Sequence, residues 1–325
     1  MTRIKNWPAG VGRPVQGCYR VLAVGPALAT DASVQQTVIR IADATGEADC
    51  LINEPDHVVR SEVGAGVPVV RFDGVIVDTS DSKQLLASDL TRLDGTPQPE
   101  WSLIPLAWVP ENGRPAFARL QGLLDGLNDS ALRAFVGSVF ADERVSEPFM
   151  CVPGSRAHHH AYDGGLLIHS VQVAETTAAA AALHSTPARE CELAVVGALF
   201  HDIGKIRLYA RSTVGMSPLQ GTDPEALNLE VLAPALACLD AHWGEGAAAL
   251  RSILAPARSY THAPYLMTDL VRAMDRLSAG QDLRERAFQG AEGWQRYTST
   301  DRGQLLARLT PKSVVSPQDW VGAII

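Results

Sequence analysis

His201 and Asp202 stand side by side at the end of a segment that is apolar from Ala194 to Phe200. A buried helix that carries an imidazole and a carboxylate into a core strips water from both, which is unfavourable unless something pairs with them. Gly204 stops that helix, and Lys205 follows one turn after His201, near the same face. Taken alone, the pair reads equally well as a helix C-terminus with a polar cap. His169 aligns with Leu166 and Val173 on the apolar stripe of its own helix. A lone histidine there is usually a hydrogen-bonded core residue. Asp275 sits one turn after Val271, on a helix with Leu266, Leu270, Met274 and Leu277, where a lone aspartate is more often on the surface. Together the four residues form a mixed nitrogen and oxygen ligand set on three helices. Such a set suits Mn²⁺, Fe²⁺, Ni²⁺, Co²⁺ or Zn²⁺ and leaves positions open for water and substrate.

The elements that must position these residues begin with β structure. Tyr19 to Val24 is an apolar run ended by Gly25-Pro26, and Thr37 to Ala42 alternates before the hairpin signal Ala44-Thr45-Gly46-Glu47, which leads into Ala48 to Ile52. Val67 to Val77, interrupted at Gly74, and Lys83 to Leu93 complete five short strands, a pattern that suggests a small barrel over 1–95. Residues 96–113, opening on Thr96-Pro97-Gln98-Pro99, read as a linker. From residue 114 the period changes to that of helices. These are expected at Ala116 to Leu127, after the cap Asn128-Asp129-Ser130, at Gly165 to Leu183, Glu190 to Phe200, Leu227 to Leu239, Ala247 to Leu254 and Tyr265 to Leu277. The all-α domain is assigned 114–282, and 283–325 is a C-terminal extension with an apolar end, Val321 to Ile325. That end packs on the domain or serves as an oligomer contact.

The composition is that of an ordinary globular protein of 325 residues, 46% hydrophobic and 20% charged. A net charge of −8 excludes a strongly basic protein that coats nucleic acid, but not a nuclease, whose metal brings local positive charge to the phosphate. No uninterrupted apolar run is long enough to imply a membrane span, and Met1 to Gly10 has no signal-peptide core. The five cysteines form no metal-type pairs, so a reducing cytoplasm with no membrane association is the expected setting.

The pattern His169…His201-Asp202…Asp275 resembles the HD superfamily of metal-dependent phosphohydrolases. The run Pro153-Gly154-Ser155-Arg156-Ala157-His158-His159-His160-Ala161-Tyr162-Asp163-Gly164-Gly165-Leu166-Leu167-Ile168-His169-Ser170 is similar to the signature of YhaM-type 3′→5′ exoribonucleases. Leu199-Phe200-His201-Asp202-Ile203-Gly204-Lys205-Ile206 is similar to their second motif. HD domains of TraI-type conjugation proteins share the Gly-Gly-Leu-Leu pattern, here Gly164 to Leu167, and are the rival family. The resemblance spans roughly 15–280 and implies a multidomain chain, an OB-like barrel followed by an all-α HD domain.

It further implies that His169, His201, Asp202 and Asp275 hold a divalent metal, Mn²⁺ foremost, with Fe²⁺, Ni²⁺, Co²⁺, Zn²⁺ or Mg²⁺ as the other choices. His159 and His160 coincide with the family's paired histidines and would border that metal. Arg156 stands where relatives carry a basic residue and would meet a phosphate. Lys205 would stabilise transition-state charge as a flexible point cation, or simply cap the helix. Asp202 would also steer a proton. The implied activity is a 3′→5′ exonuclease on single-stranded RNA, with single-stranded DNA also a substrate. The alternatives are a phosphohydrolase of small nucleotides and a non-catalytic accessory protein of a mobile or conjugative element.

Two departures stand out. Family members with two metals carry further histidines where this chain places Asn228 and Ala255-Pro256, while His242 and His262 lie nearby but out of register. The barrel region has 9 basic against 13 acidic residues over 1–100, and its aromatics are Trp7, Tyr19 and Phe72. OB-folds that hold single strands use stacked aromatics and a basic groove, so this barrel is expected to bind nucleic acid weakly, or to bind protein.

Overall fold

A computed structural model describes residues 2–31, 34–64, 68–79, 82–93, 100–156, 160–209, 219, 221–255, 262–300 and 303–309. The chain divides into two compact units, Met1–Met274 and Asp275–Ile325, with the division falling inside one continuous helix.

The first unit opens with a closed five-stranded barrel. Its strands are β1 (Pro14–Asp31), β2 (Val34–Asp43), β3 (Gly46–Ile52), β4 (Val69–Thr79) and β5 (Ser82–Arg92), in the order β1-β2-β3-β5-β4. β1 closes the ring by pairing with β4, and the β3–β5 pairing is parallel while the others are antiparallel. This is the OB-like arrangement expected from the sequence. The length of β1 makes closure possible: Pro14 to Arg20 pairs with β4, Arg20 to Asp31 pairs with β2, and register shifts along the second stretch bend the strand. Gly74 does not interrupt β4. It marks a bulge where a Cβ would run into Leu86 O of β5, so a close backbone approach requires glycine there.

Inward residues of all five strands, among them Tyr19, Ile39, Cys50, Phe72 and Leu85, make the barrel core. A short helix that strand periodicity did not reveal, α1 (Asp56–Val63), lies between β3 and β4 and adds Val59 and Val63 to that core. Trp7 is also inside: its Nε1 donates to Tyr19 Oη at 2.9 Å, and Tyr19 Oη donates to Thr2 O at 2.6 Å. All three aromatic residues of the first hundred are therefore interior.

Residues 100–113, expected as a linker, form three 3₁₀ turns that place Trp101, Ile104 and Val109 in the helical core. The helices are α2 (Arg114–Asp125), α3 (Ser130–Ala141), α4 (Glu143–Cys151), α5 (Gly165–Leu183), α6 (Ala188–Phe200), α7 (Lys205–Tyr209), α8 (Pro224–Leu254) and α9 (Leu266–Ala287). α4 was not foreseen, because Pro148 lies within it; it nevertheless buries Phe149 and Met150. The two helices expected over 227–254 are one element, kinked where Trp243 leaves helical geometry. α5 is long and apolar enough by composition to cross a membrane, yet half of that stretch is buried within the protein, where α5 packs on α2, α4 and α6.

Barrel and helices share a buried polar joint. Arg20 of β1 is 1% exposed, and its guanidinium donates to Leu103 O at 3.1 Å and Phe140 O at 2.8 Å, with Trp108 packed against it. A guanidinium out of water is tolerable only with such partners.

In the second unit, Arg308 lies over the ring of Phe288 and donates to the carbonyls of Gln295 and Glu292. The unit's hairpin comprises β6 (Tyr297–Ser299) and β7 (Leu305–Ala307). The apolar end at 321–325 lies outside the described residues.

Candidate functional site

The His201-Asp202 pair is held from both sides. On the preceding side, Phe200 is fully buried, its ring 5.5 Å from Phe140 and 6.0 Å from both Phe135 and Phe149. On the following side the chain turns directly into α7, and a Cβ on Gly204 would run into Pro224 O and Leu227 of α8. Glycine thus lets the turn lie against the start of α8.

Asn228 fastens it there. Its Oδ1 accepts from Gly204 N at 2.7 Å, and its Nδ2 donates to His201 O and to Leu254 O. Asn228 stands where two-metal relatives carry a histidine. Its amide is engaged with backbone on both sides, which makes it a clamp on the turn.

His169 is fully buried on α5, and the motif ahead of it builds the N-terminal approach to that helix. His160 adopts a left-handed backbone with φ 52°, while its carbonyl accepts from Gly154 N at 2.8 Å and Tyr162 N at 2.9 Å. A Cβ on Gly165 would run into that same carbonyl, so this glycine makes room for the loop. The His160 ring stands 5.2 Å from the His169 ring, and its Nδ1 lies 2.9 Å from Tyr162 Oη. His158 and His159 lie outside the described residues.

The two ligand-type histidines meet. His169 Nε2 lies 3.3 Å from His201 Nε2, and both nitrogens lie 3.4 Å from Asp202 Oδ2. His201 Nδ1 is 2.7 Å from Ala198 O. A carbonyl only accepts, so Nδ1 carries a proton, and Nε2 is the ring nitrogen that faces the site, available to a cation once it gives up its own proton. His169, His201 and Asp275 form a group able to hold a metal ion, with ligand atoms within 4.8 Å of one another, the sole such group among the described residues.

Lys205 Nζ donates to Asp202 Oδ2 at 2.6 Å. Burial alone would push the Asp202 carboxyl up. The charges of His201 and Lys205 and hydrogen bonds from both histidines outweigh it, and hold the group well below the usual carboxylate range. Two imidazole nitrogens and an ionised carboxylate in a nearly dry pocket are donors that fit a borderline divalent cation.

Other candidates fall elsewhere. His242 is exposed and its Nδ1 lies 2.8 Å from Cys238 O; His262, also exposed, pairs with Asp269 at 3.5 Å. Neither belongs to the metal-type group. Arg156 is exposed, with its guanidinium carbon 6.0 Å from the centre of the Tyr209 ring. Sequence reasoning missed Tyr209 and the clamping role of Asn228, because each gains its function from a partner distant in sequence.

Residues 126–209 match the family model TraI_2, described as "Putative helicase". The matched segment holds Arg156, His160, His169, His201, Asp202 and Lys205, and it contains no Gly-x-x-x-x-Gly-Lys-Ser/Thr phosphate-binding loop. No curated protein matches the chain.

Proposed function

We propose that this chain is a metal-dependent phosphodiesterase of the HD type that removes nucleotides from the 3′ end of single-stranded RNA, with single-stranded DNA as a further substrate. The observation that carries the reading is the convergence of His169, His201 and Asp275, with Asp202 beside both rings. In this reading those four residues hold one divalent cation, Mn²⁺ foremost. Bound there, such a cation supplies Lewis acidity toward a phosphoryl oxygen and lowers the pKa of a water ligand.

The chain's own groups do the rest. A carboxylate held as low as Asp202 is a weak base, so Asp202 contributes charge and orientation more than proton capture. Lys205, already poised on Asp202, offers the cation nearest to charge developing on phosphoryl oxygens. His160, its Nδ1 against Tyr162 Oη, packs beside the His169 ring and borders the reacting phosphate. The polymeric substrate is supported by an OB-like barrel fastened to the helices through Arg20, so that a strand crossing the barrel would keep a fixed path to the site.

One observation favours a second reading, hydrolysis of small nucleotides. The barrel has no aromatic residue left for its outer face over residues 1–100, and Arg40 on β2 is paired with Glu47 and Asp49 of β3. A face of this kind lacks the stacking platforms of strand-holding OB-folds. The family match supports a third, a conjugation-associated accessory role.

The deciding experiment uses 5′-labelled single-stranded RNA with Mn²⁺ at low ionic strength, where phosphate contacts are strongest. A descending ladder that a 3′-terminal block abolishes is expected. Intact RNA and DNA beside cleavage of a free nucleotide would establish the second reading. Cleavage of no phosphate ester with any divalent metal would leave the accessory role.

A further inference from the structure

A pocket of about 280 Å³ lies at the C-terminal end of α7, lined by Arg156, Leu208, Tyr209, Gly221, Thr222 and Pro224. Its volume lies at the lower edge of small-molecule sites, roughly 300 Å³, so it suits one ring system rather than a length of polymer. Tyr209 follows Lys205 by one turn of α7, which separates their Cβ atoms by roughly 5–6 Å. In a nucleotide, one sugar separates base from phosphate, a comparable step. The walls are of two kinds: the flat faces of Tyr209 and Arg156, and the apolar sides of Leu208 and Pro224.

The pair of flat groups is open rather than closed. Elsewhere in the first unit, Arg189 lies 3.5 Å from the centre of the Trp243 ring, in direct stacking contact. Arg156 stands 6.0 Å from the centre of the Tyr209 ring, at the outer reach of a cation–π contact, so a planar ring could enter between the two with a shift of the arginine side chain. Aromatic rings and guanidinium planes are the surfaces on which proteins stack unpaired bases. The barrel's aromatics are all interior, whereas Tyr209, one turn from Lys205, lines this pocket.

We propose that this pocket is the base subsite of the enzyme: it stacks the nucleobase of the nucleotide whose phosphate lies at Lys205 and the metal group, and so selects nucleotides over other phosphate esters. The inference rests on the phosphodiesterase reading for the identity of the phosphate site, but the pocket can be tested without turnover. The probes are 5′-AMP and ribose 5-phosphate, which share a phosphate and differ in the base, titrated calorimetrically into the full chain in EDTA. AMP should bind tighter by about 10- to 100-fold, as stacking of one base implies.

Tyr209→Ala should bring AMP to the level of ribose 5-phosphate, and Tyr209→Phe should keep the advantage. Thr222→Trp should also abolish it, by placing a ring in the pocket from the exposed rim while leaving Tyr209 in place, which guards against a Tyr209→Ala that misfolds. Equal binding of the two probes by the wild type would overturn the assignment. So would an AMP advantage that survives both Tyr209→Ala and Thr222→Trp. Since nothing is hydrolysed in EDTA, failure here leaves the RNA ladder unaffected, and failure of the ladder leaves a measured base preference standing.

Discussion

Replacing Asn228 with alanine should loosen the turn that carries His201 and Asp202 far more than a polar-to-alanine change on the surface would. Three hydrogen bonds end on this one amide, and the residue is fully buried. The substitution leaves Gly204 N–H and the carbonyls of His201 and Leu254 without that partner in a region water does not reach. A buried group left unsatisfied costs about 1–3 kcal/mol, so three of them with partial relaxation give a loss of about 3–5 kcal/mol. Each kcal/mol lowers the melting temperature by roughly 2–4 °C in a domain of 150–250 residues, which makes a drop on the order of 10 °C.

Thermal melting followed by circular dichroism measures this, with metal content taken in parallel by elemental analysis. Asn228→His separates the clamp from a metal-ligand role at the same position. The imidazole cannot reproduce one acceptor and two donors on the amide's geometry, so it should destabilise without adding metal. An alanine variant melting within about 2 °C of wild type would refute the clamp, since even one stranded group should move Tm further. A histidine variant that binds a second equivalent of metal would restore Asn228 to a metal position.

Lys205→Met should remove turnover by about 10- to 100-fold, the effect of losing one charge-stabilising contact. It should also destabilise the protein by about 3 kcal/mol in chelator, because an uncompensated buried carboxylate remains at Asp202. Added Mn²⁺ should recover most of that loss, and melts with and without EDTA would expose a lysine that is only a helix cap. Arg20→Met should strand Leu103 O and Phe140 O, cost about 2–4 kcal/mol, and speed proteolysis between the barrel and α2; an unchanged cleavage rate would count against a joint at Arg20. Asp129 caps α3, and although burial raises its carboxyl, bonds from Leu132 and Ala131 and the pairing with Arg189 prevail and lower it. A lowered folded value means the contribution is full above the unfolded pKa of about 3.9 and lost as pH falls through the folded value. Asp129→Ala should therefore cost about 1 kcal/mol at pH 7, and the gap to wild type should close below pH 4, read from urea midpoints across pH.

Periodicity carried far where one face of an element decides its fate. α5 was legible over its whole length, Gly165 to Leu183, and the strands of the barrel were found by alternation, although β1 runs well beyond the stretch expected. Elements whose residues are individually ambiguous escaped. α1 contributes just two core valines, and α4 contains a proline, so neither shows a periodic pattern strong enough to outweigh local signals. The stretch over 100–113 looked like a linker because proline and glycine mark turns, and the turns are there; that they bury Trp101, Ile104 and Val109 depends on helices that come later in the chain.

Residue type and spacing by themselves determined which side chains could ligate a metal, since imidazole and carboxylate on the apolar stripes of helices are chemically conspicuous wherever those helices go. They also determined the order of barrel and helices, because the hydrophobic period switches from two to that of a helix along the chain. What they left open was whether His169 and His201 meet, whether Lys205 faces Asp202, and what Asn228 does. Those were decided by tertiary packing: α5 against α6 brings two ring nitrogens to 3.3 Å, and α8 lies close enough to Gly204 for one amide to hold the turn. The physical reason is range. Helical periodicity is written in neighbours three and four residues apart, whereas the histidine pair and the clamp are made by atoms that the chain separates by 24 to 32 residues and only a packed core returns to contact.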